Sequence, residues 1–199
     1  MTSDMFGDPD DAATLARLHT RLADAAGDAN LLDIAYRTVD TPVGALLLAG
    51  TDVGLVRVAF AVEDHDTVLA TLAQRVSPRI LRSPARLDDA ARQLEQYFAH
   101  SRTSFDLPMD LRLAQGFRRT VIEHLRVIGY GRRETYAEVA GAVGNPKAVR
   151  AVGTACAHNP LPVVIGCHRV VRSDGSSGQY VGGAAAKQTL LEFETPSRE

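Results

Sequence analysis

Cys167 and His168 stand side by side in Pro162-Val163-Val164-Ile165-Gly166-Cys167-His168-Arg169-Val170-Val171, at the end of an apolar run. The thiolate is the nucleophilic form of cysteine, and histidine is the base whose unperturbed pKa lies near ~6.5, so this pair could make a reactive thiol. The same dipeptide also suits a structural cysteine in a core, and taken alone it leaves both readings open. The β-branched run Val163-Val164-Ile165 predicts a buried strand, with Gly166 letting the chain turn sharply at its end. Neighbouring side chains of an extended chain point to opposite faces, so a bridging water is expected between Cys167 and His168.

The surroundings narrow the choice. Downstream runs Arg172-Ser173-Asp174-Gly175-Ser176-Ser177-Gly178-Gln179-Tyr180-Val181-Gly182-Gly183, then a helix-like stretch ending in Leu190-Leu191-Glu192-Phe193-Glu194. Upstream lie Arg133-Glu134-Thr135-Tyr136-Ala137-Glu138 and Asn145-Pro146-Lys147-Ala148-Val149-Arg150-Ala151-Val152-Gly153-Thr154, the latter followed by Asn159-Pro160. In order and spacing these segments resemble the O6-alkylguanine-DNA alkyltransferases, also called methylated-DNA-protein-cysteine methyltransferases. The resemblance is tight over residues 109–194 and looser over 31–108; residues 1–30 match nothing in the family.

The resemblance implies a suicide DNA-repair enzyme that moves an alkyl group from guanine O6, with O4-alkylthymine a further candidate, onto Cys167 in one irreversible turnover. His168 would take the thiol proton, Glu194 would hold the imidazole, Tyr136 would reach the extruded base, and Asn159 would tie the turn beside the site. Arg150 matches the finger that fills the space left by a flipped nucleotide, at a cost of a few kcal/mol of unstacking. Lys147, Ala148, Ala151 and Thr154 would share the DNA face, the small residues allowing a minor-groove approach. Val170, Tyr180, Val181 and Gly182 would wall the base pocket. No metal and no soluble cofactor is implied, and the partner is double-stranded DNA met by a monomer.

Three departures stand out. Gly166 occupies a position usually held by Pro, so a proline there is expected to rigidify and stabilise the site. Val181 stands where Ser is frequent, and Leu113-Ala114-Gln115-Gly116-Phe117 departs from the usual Gly-Thr-x-Phe form. Two other readings compete: a lesion-binding protein of the alkyltransferase-like type, in which the cysteine is replaced, and a cysteine hydrolase, which would turn over.

Composition fits a globular protein: 199 residues, 45% hydrophobic, with two cysteines. No apolar run approaches the ~20 residues of a membrane span, and the acidic start lacks the features of a signal peptide. A cytoplasmic location is expected, because a working thiol needs a reducing compartment. The net charge of −2 hides an asymmetry. Residues 1–108 hold 10 Arg and no Lys against 16 acidic residues, whereas 109–199 hold 12 basic against 8, so the second half is the phosphate-facing one.

The elements that must position these residues follow from periodicity. An amphipathic helix over 11–26 carries Leu15, Leu18 and Leu22 on one face, predicted to pack. Leu31–Phe60 reads as an antiparallel meander, and helices over 63–76 and 87–98 are expected to cover one face of it. Past a connector ending at Pro108, a helix bearing Phe117, Val121, Leu125 and Ile128 stops at Gly129. Two short helices then have helix-turn-helix dimensions, the second expected to start with Asn145 as cap, Pro146 at its first position and Val149, Val152 and Cys156 on its core side. The fold class is α+β: a domain over 1–108 with an antiparallel sheet and helices, and a mainly helical DNA-binding and catalytic domain over 109–199.

Overall fold

Alternating apolar residues between Ile34 and Phe60 form three antiparallel strands, β1 (Ile34–Val39), β2 (Leu46–Gly50) and β3 (Leu55–Phe60), in a computed structural model that describes residues 9–195. Tyr36 pairs with Ala49 and Leu48 with Val58. A short fourth strand, β4 (Ile80–Arg82), adds parallel to β1, giving the order β3-β2-β1-β4. The sheet is therefore mixed rather than purely antiparallel. Three residues at an edge are too few to show a period of two.

Both faces of the sheet are covered, which corrects the expectation of one. On one side Ile34, Leu47, Ala49, Val56 and Ala59 pack with Val68 and Leu72 of α2 (His65–Arg75). On the other, Leu46, Leu48, Val58 and Phe60 join Leu94 and Tyr97 of α3 (Asp88–Phe98) in a cluster that continues through Cys167 to Leu190. This double burial explains why every residue of β2 is buried.

The first helix, α1 (Pro9–Asp28), behaves otherwise than predicted. Leu15, Leu18 and Leu22 are 66%, 49% and 55% exposed, so the leucine face is not a packing face. The helix rests on the body through buried Ala23 and through His19, whose Nε2 lies 2.8 Å from the Arg82 carbonyl.

In the second half, α4 (Gly116–Leu125), α5 (Tyr136–Ala142) and α6 (Val149–Ala157) pack together, burying Val121, Ile122, Leu125, Val139, Ala140 and Val152. A capping box fixes the start of α5: the Thr135 hydroxyl accepts from the Glu138 amide, and the Glu138 carboxylate accepts from the Thr135 amide. α6 begins three residues later than Asn145-Pro146 suggests, because the Ala148 amide closes a turn onto the Asn145 carbonyl first. Val149 is consequently exposed rather than on the core side. Two two-residue strands, β5 (Glu134–Thr135) and β6 (Val170–Val171), pair in parallel and bring the start of α5 beside the cysteine segment. The final helix, α7 (Gly183–Phe193), closes over that segment.

Candidate active site

Val163-Val164-Ile165 forms no strand; it is a buried loop. Val163 takes φ +71°, uncommon for a β-branched residue and costing about 1–3 kcal/mol. The Ile165 amide donates to the Leu161 carbonyl at 2.8 Å, and the Cys167 amide donates back to Ile165 at 2.7 Å, making a tight turn about Gly166. Asn159 stitches this loop: its side-chain amide donates to the Ile165 carbonyl at 3.0 Å and its carbonyl oxygen accepts from the Leu161 amide at 3.0 Å. An apolar run reads the same whether it is a buried strand or a buried turn, and here side-chain bonds supply the backbone partners.

Cys167, His168 and Arg169 then form one turn of 3-10 helix rather than extended chain, so the argument from opposite faces does not apply. Cys167 is 1% exposed. Its thiol is pushed up to about 11 by burial, against which the Asn159 amide, the Lys187 charge and the Tyr180 hydroxyl favour the thiolate. The resting group is thus a thiol, and it needs a base.

His168 is the imidazole next to it in the chain. Its Nε2 lies 3.1 Å from Glu194 Oε1, which assigns the proton to Nε2 and the lone pair to Nδ1. Nδ1 is buried and bonded to nothing among the described residues. Burial, opposed by Glu194, keeps the imidazole below its usual pKa and therefore neutral near pH 7.

Glu194, at the C-terminal end of α7, is held on both oxygens. Oε1 also accepts from the Tyr97 hydroxyl at 2.7 Å and Arg169 Nη2 at 2.8 Å; Oε2 accepts from Arg169 Nε at 2.9 Å and the Gly131 amide at 3.2 Å. Burial alone would raise its pKa, but the bonds from His168 and Arg169 outweigh that and hold the carboxyl well below the usual range. The charge of this carboxylate is permanent above mild acid, and its direction toward the imidazole is fixed.

Tyr136, the first residue of α5, is half-buried with its hydroxyl against the Cα of Gly178; burial moves that hydroxyl up to about 12. Tyr180 packs edge-on to Phe60 and to His168, at centroid distances of 5.6 and 6.4 Å, its own hydroxyl buried without a hydrogen bond of good geometry. Val170 lies in β6, and Val181 precedes α7 half-buried. Gly182 backs onto the sheet, since the Phe60 ring occupies the place a Cβ would take. Lys147, Arg150, Ala151 and Thr154 are exposed on and just ahead of α6, with Ala148 half-exposed. His168 thus touches Glu194 and Tyr180, Asn159 holds the loop that carries Cys167, Tyr136 meets Gly178, and the α6 group forms an outer surface.

Sequence reasoning missed Tyr97, Arg169, Lys187 and Gly178. Tyr97 looks like an ordinary core position of α3, and only the fold brings it to Glu194. Arg169 carried a usable signal: a charged residue inside an otherwise apolar string, which is buried only when paired.

A buried cysteine backed by a neutral imidazole and a fixed carboxylate, beside a helix pair of helix-turn-helix form, defines a thiol-nucleophile protein of the nucleic-acid-binding kind. Residues 34–111 match the ribonuclease-like domain of 6-O-methylguanine DNA methyltransferase, and residues 116–196 match its DNA-binding domain. A methylated-DNA–protein-cysteine methyltransferase of Mycolicibacterium paratuberculosis is 39% identical over 161 residues, 81% of this chain and 92% of the relative. The constitutive one of Bacillus subtilis is 35% identical, over 80% and 94%. The Mycobacterium tuberculosis protein OGT, solved in complex with DNA, superposes with a TM-score of 0.71 at 36% identity, covering 82% of this chain and 96% of that one. The chain belongs to the methylated-DNA–protein-cysteine methyltransferase family. α1 lies ahead of both family matches.

Proposed function

We propose that this protein repairs double-stranded DNA by moving an alkyl group from guanine O6 to Cys167 in a single irreversible turnover. The observation that carries the reading is His168: Nε2–H is engaged by Glu194 while buried Nδ1 keeps a free lone pair, one residue from the buried thiol. The proton leaves Sγ for Nδ1 through a bridging water, since no group among the described residues lies within hydrogen-bond reach of Nδ1, and the imidazolium that forms is stabilised by Glu194. Sulfur then attacks the alkyl carbon, the carbon–O6 bond breaks, and the electron pair stays on guanine. Tyr136 donates to the base as that charge develops. Asn159 keeps the loop rigid, and Val170, Tyr180, Val181 and Gly182 form the pocket.

The base reaches the pocket only by leaving the duplex. Arg150 fills its place, while Lys147, Ala148, Ala151 and Thr154 lie along the DNA backbone. We place the protein in the cytoplasm, where a thiol stays reduced, and divide the chain at 108/109 into a sheet domain and a DNA-binding domain.

Intact-mass measurement after incubation with a duplex containing O6-methylguanine tests the reading. One added methyl on Cys167, and none in Cys167→Ser, is expected. Repeated turnover without modification would point to a hydrolase, and binding without modification to a lesion reader.

A further inference from the structure

Two of the three departures from the family pattern meet at a place that the chemistry above does not use. Leu113 and Val181 line a groove of about 280 Å³, where Val68 and Leu72 of α2 and Pro160 complete an apolar floor. Its rim is cationic. Arg57, Arg75 and Arg118 stand there against Glu63, the one carboxylate among the described residues that line it, and Glu63 is already engaged by Arg57 and by the Phe60 amide.

Arg75 lies in the last turn of α2 and is exposed; Arg118 lies in the first turn of α4 and is half-buried. Neither is paired with a carboxylate among the described residues, whereas the neighbouring Arg119 is spent on Glu123. The first turn of α4 holds no acidic residue and no side-chain cap, which leaves the positive end of that helix uncompensated beside Arg118. Two guanidiniums over an apolar floor, with no internal anion to hold, suit an external one.

Continuity identifies that anion. Arg150, Thr154 and His158 follow at four-residue intervals on one face of α6 and its cap, and Ala157 and His158 line the groove itself. The α6 surface assigned to DNA therefore runs into the groove. Asn159 and Val181, placed above beside the thiol and in the base pocket, line it as well. A strand that delivers a nucleotide past Val181 carries the adjoining phosphates over this rim, with its sugars toward the apolar floor.

We propose that the groove between α2, α4 and the end of α6 holds the backbone of the lesion-bearing strand, with Arg118 and Arg75 each binding a phosphate beside the extruded nucleotide. The inference rests on the repair reading for the extruded nucleotide. Arg75 thereby brings the acidic first half of the chain into contact with DNA. Arg57 does not share the task, because Glu63 holds it.

The test is binding to a duplex containing one O6-methylguanine, followed by fluorescence anisotropy over a series of KCl concentrations, with Cys167→Ser as the common background so that no methyl transfer intervenes. Arg75→Ala and Arg118→Ala should each flatten the slope of log affinity against log salt by about one, and weaken binding about five- to tenfold at about 0.1 M salt. Lysine at either position should restore most of the slope, and the melting temperature should hold. A methylphosphonate beside the lesion on its own strand removes one phosphate charge, so it should weaken the background protein and leave Arg118→Ala indifferent.

An unchanged salt slope in both folded variants overturns the proposal, as does equal sensitivity to methylphosphonates on the opposite strand. Self-association of the free protein that Arg118→Ala abolishes while DNA affinity holds would give the groove to a second copy instead. Binding through these residues by a protein that, with Cys167 in place, accepts no methyl group would sink the repair reading and leave the groove's contact with DNA standing.

Discussion

Gly166 decides more than loop stiffness. Its φ of −69° suits proline, and its amide donates no backbone hydrogen bond among the described residues, so backbone geometry favours the entropic expectation. The space does not. A Cβ there would come within 2.7 Å of Arg169 Cδ and 2.8 Å of Nε and Nη1, the atoms that carry the guanidinium to Glu194. Both Gly166→Ala and Gly166→Pro should therefore destabilise the protein, by about 1–3 kcal/mol in urea denaturation, and slow alkylation. Stabilisation by proline would show that Arg169 can move without harm. A second expectation concerns Cys167. Its folded pKa lies above the ordinary 9.0, at about 11, so its contribution to stability is whole below pH 9 and is lost as pH climbs toward 11. Melting curves of the unaltered protein and Cys167→Ser should diverge across that window. The acid side belongs to Glu194, whose folded pKa is depressed: the stability it confers is present above about pH 4 and disappears as the medium becomes more acidic. Glu194→Gln should remove that acid dependence and cost about 3–5 kcal/mol, because it leaves Arg169 buried without its partner. What the sequence offered at this scale was Cys167, His168 and Glu194 as the proposed nucleophile, base and carboxylate, of which the structure joins the last two. It did not offer Tyr97 or Arg169, whose roles arise from contacts between segments far apart in the chain.

Helices were legible wherever an apolar period ran for two turns or more, as in α3, α4 and α7. Short or buried pieces were not: β4 has three residues, and Val163-Val164-Ile165 is apolar for reasons unrelated to strand pairing. Asn145-Pro146 carries a real helix-start signal, but the chain uses it for a turn and lets α6 begin at Val149. The consequence reaches the DNA surface. Arg150 falls in the first turn of α6, at the helix end that favours an approaching anion. Arg150→Ala should slow repair of duplex DNA at least tenfold while leaving reaction with free O6-benzylguanine within about twofold, since only the duplex needs an extruded nucleotide to be replaced. Equal losses with both substrates would strip Arg150 of that task. The leucine face of α1 was misjudged for a different reason: periodicity reports that a face is apolar, and says nothing about whether a neighbour covers it.

Across the whole molecule, the two halves of opposite charge balance share one core and one site. The Val58 amide donates to the Pro160 carbonyl at 2.9 Å, and Arg57, paired with Glu63, reaches the same carbonyl at 3.2 Å, so β3 braces the turn that carries Asn159. Tyr97 reaches across from α3 to Glu194. The proposed division at 108/109 thus cuts Tyr97 away from Glu194 and β3 away from the turn that carries Asn159. Severing the chain there would yield a second piece holding the thiol, its imidazole and its carboxylate, with the Tyr97 bond and the β3 brace gone. That piece alone should label slowly with a fluorescent benzylguanine, and adding the first piece as a separate polypeptide should restore the rate. Covalent labelling would then record, molecule by molecule, whether two chains had met.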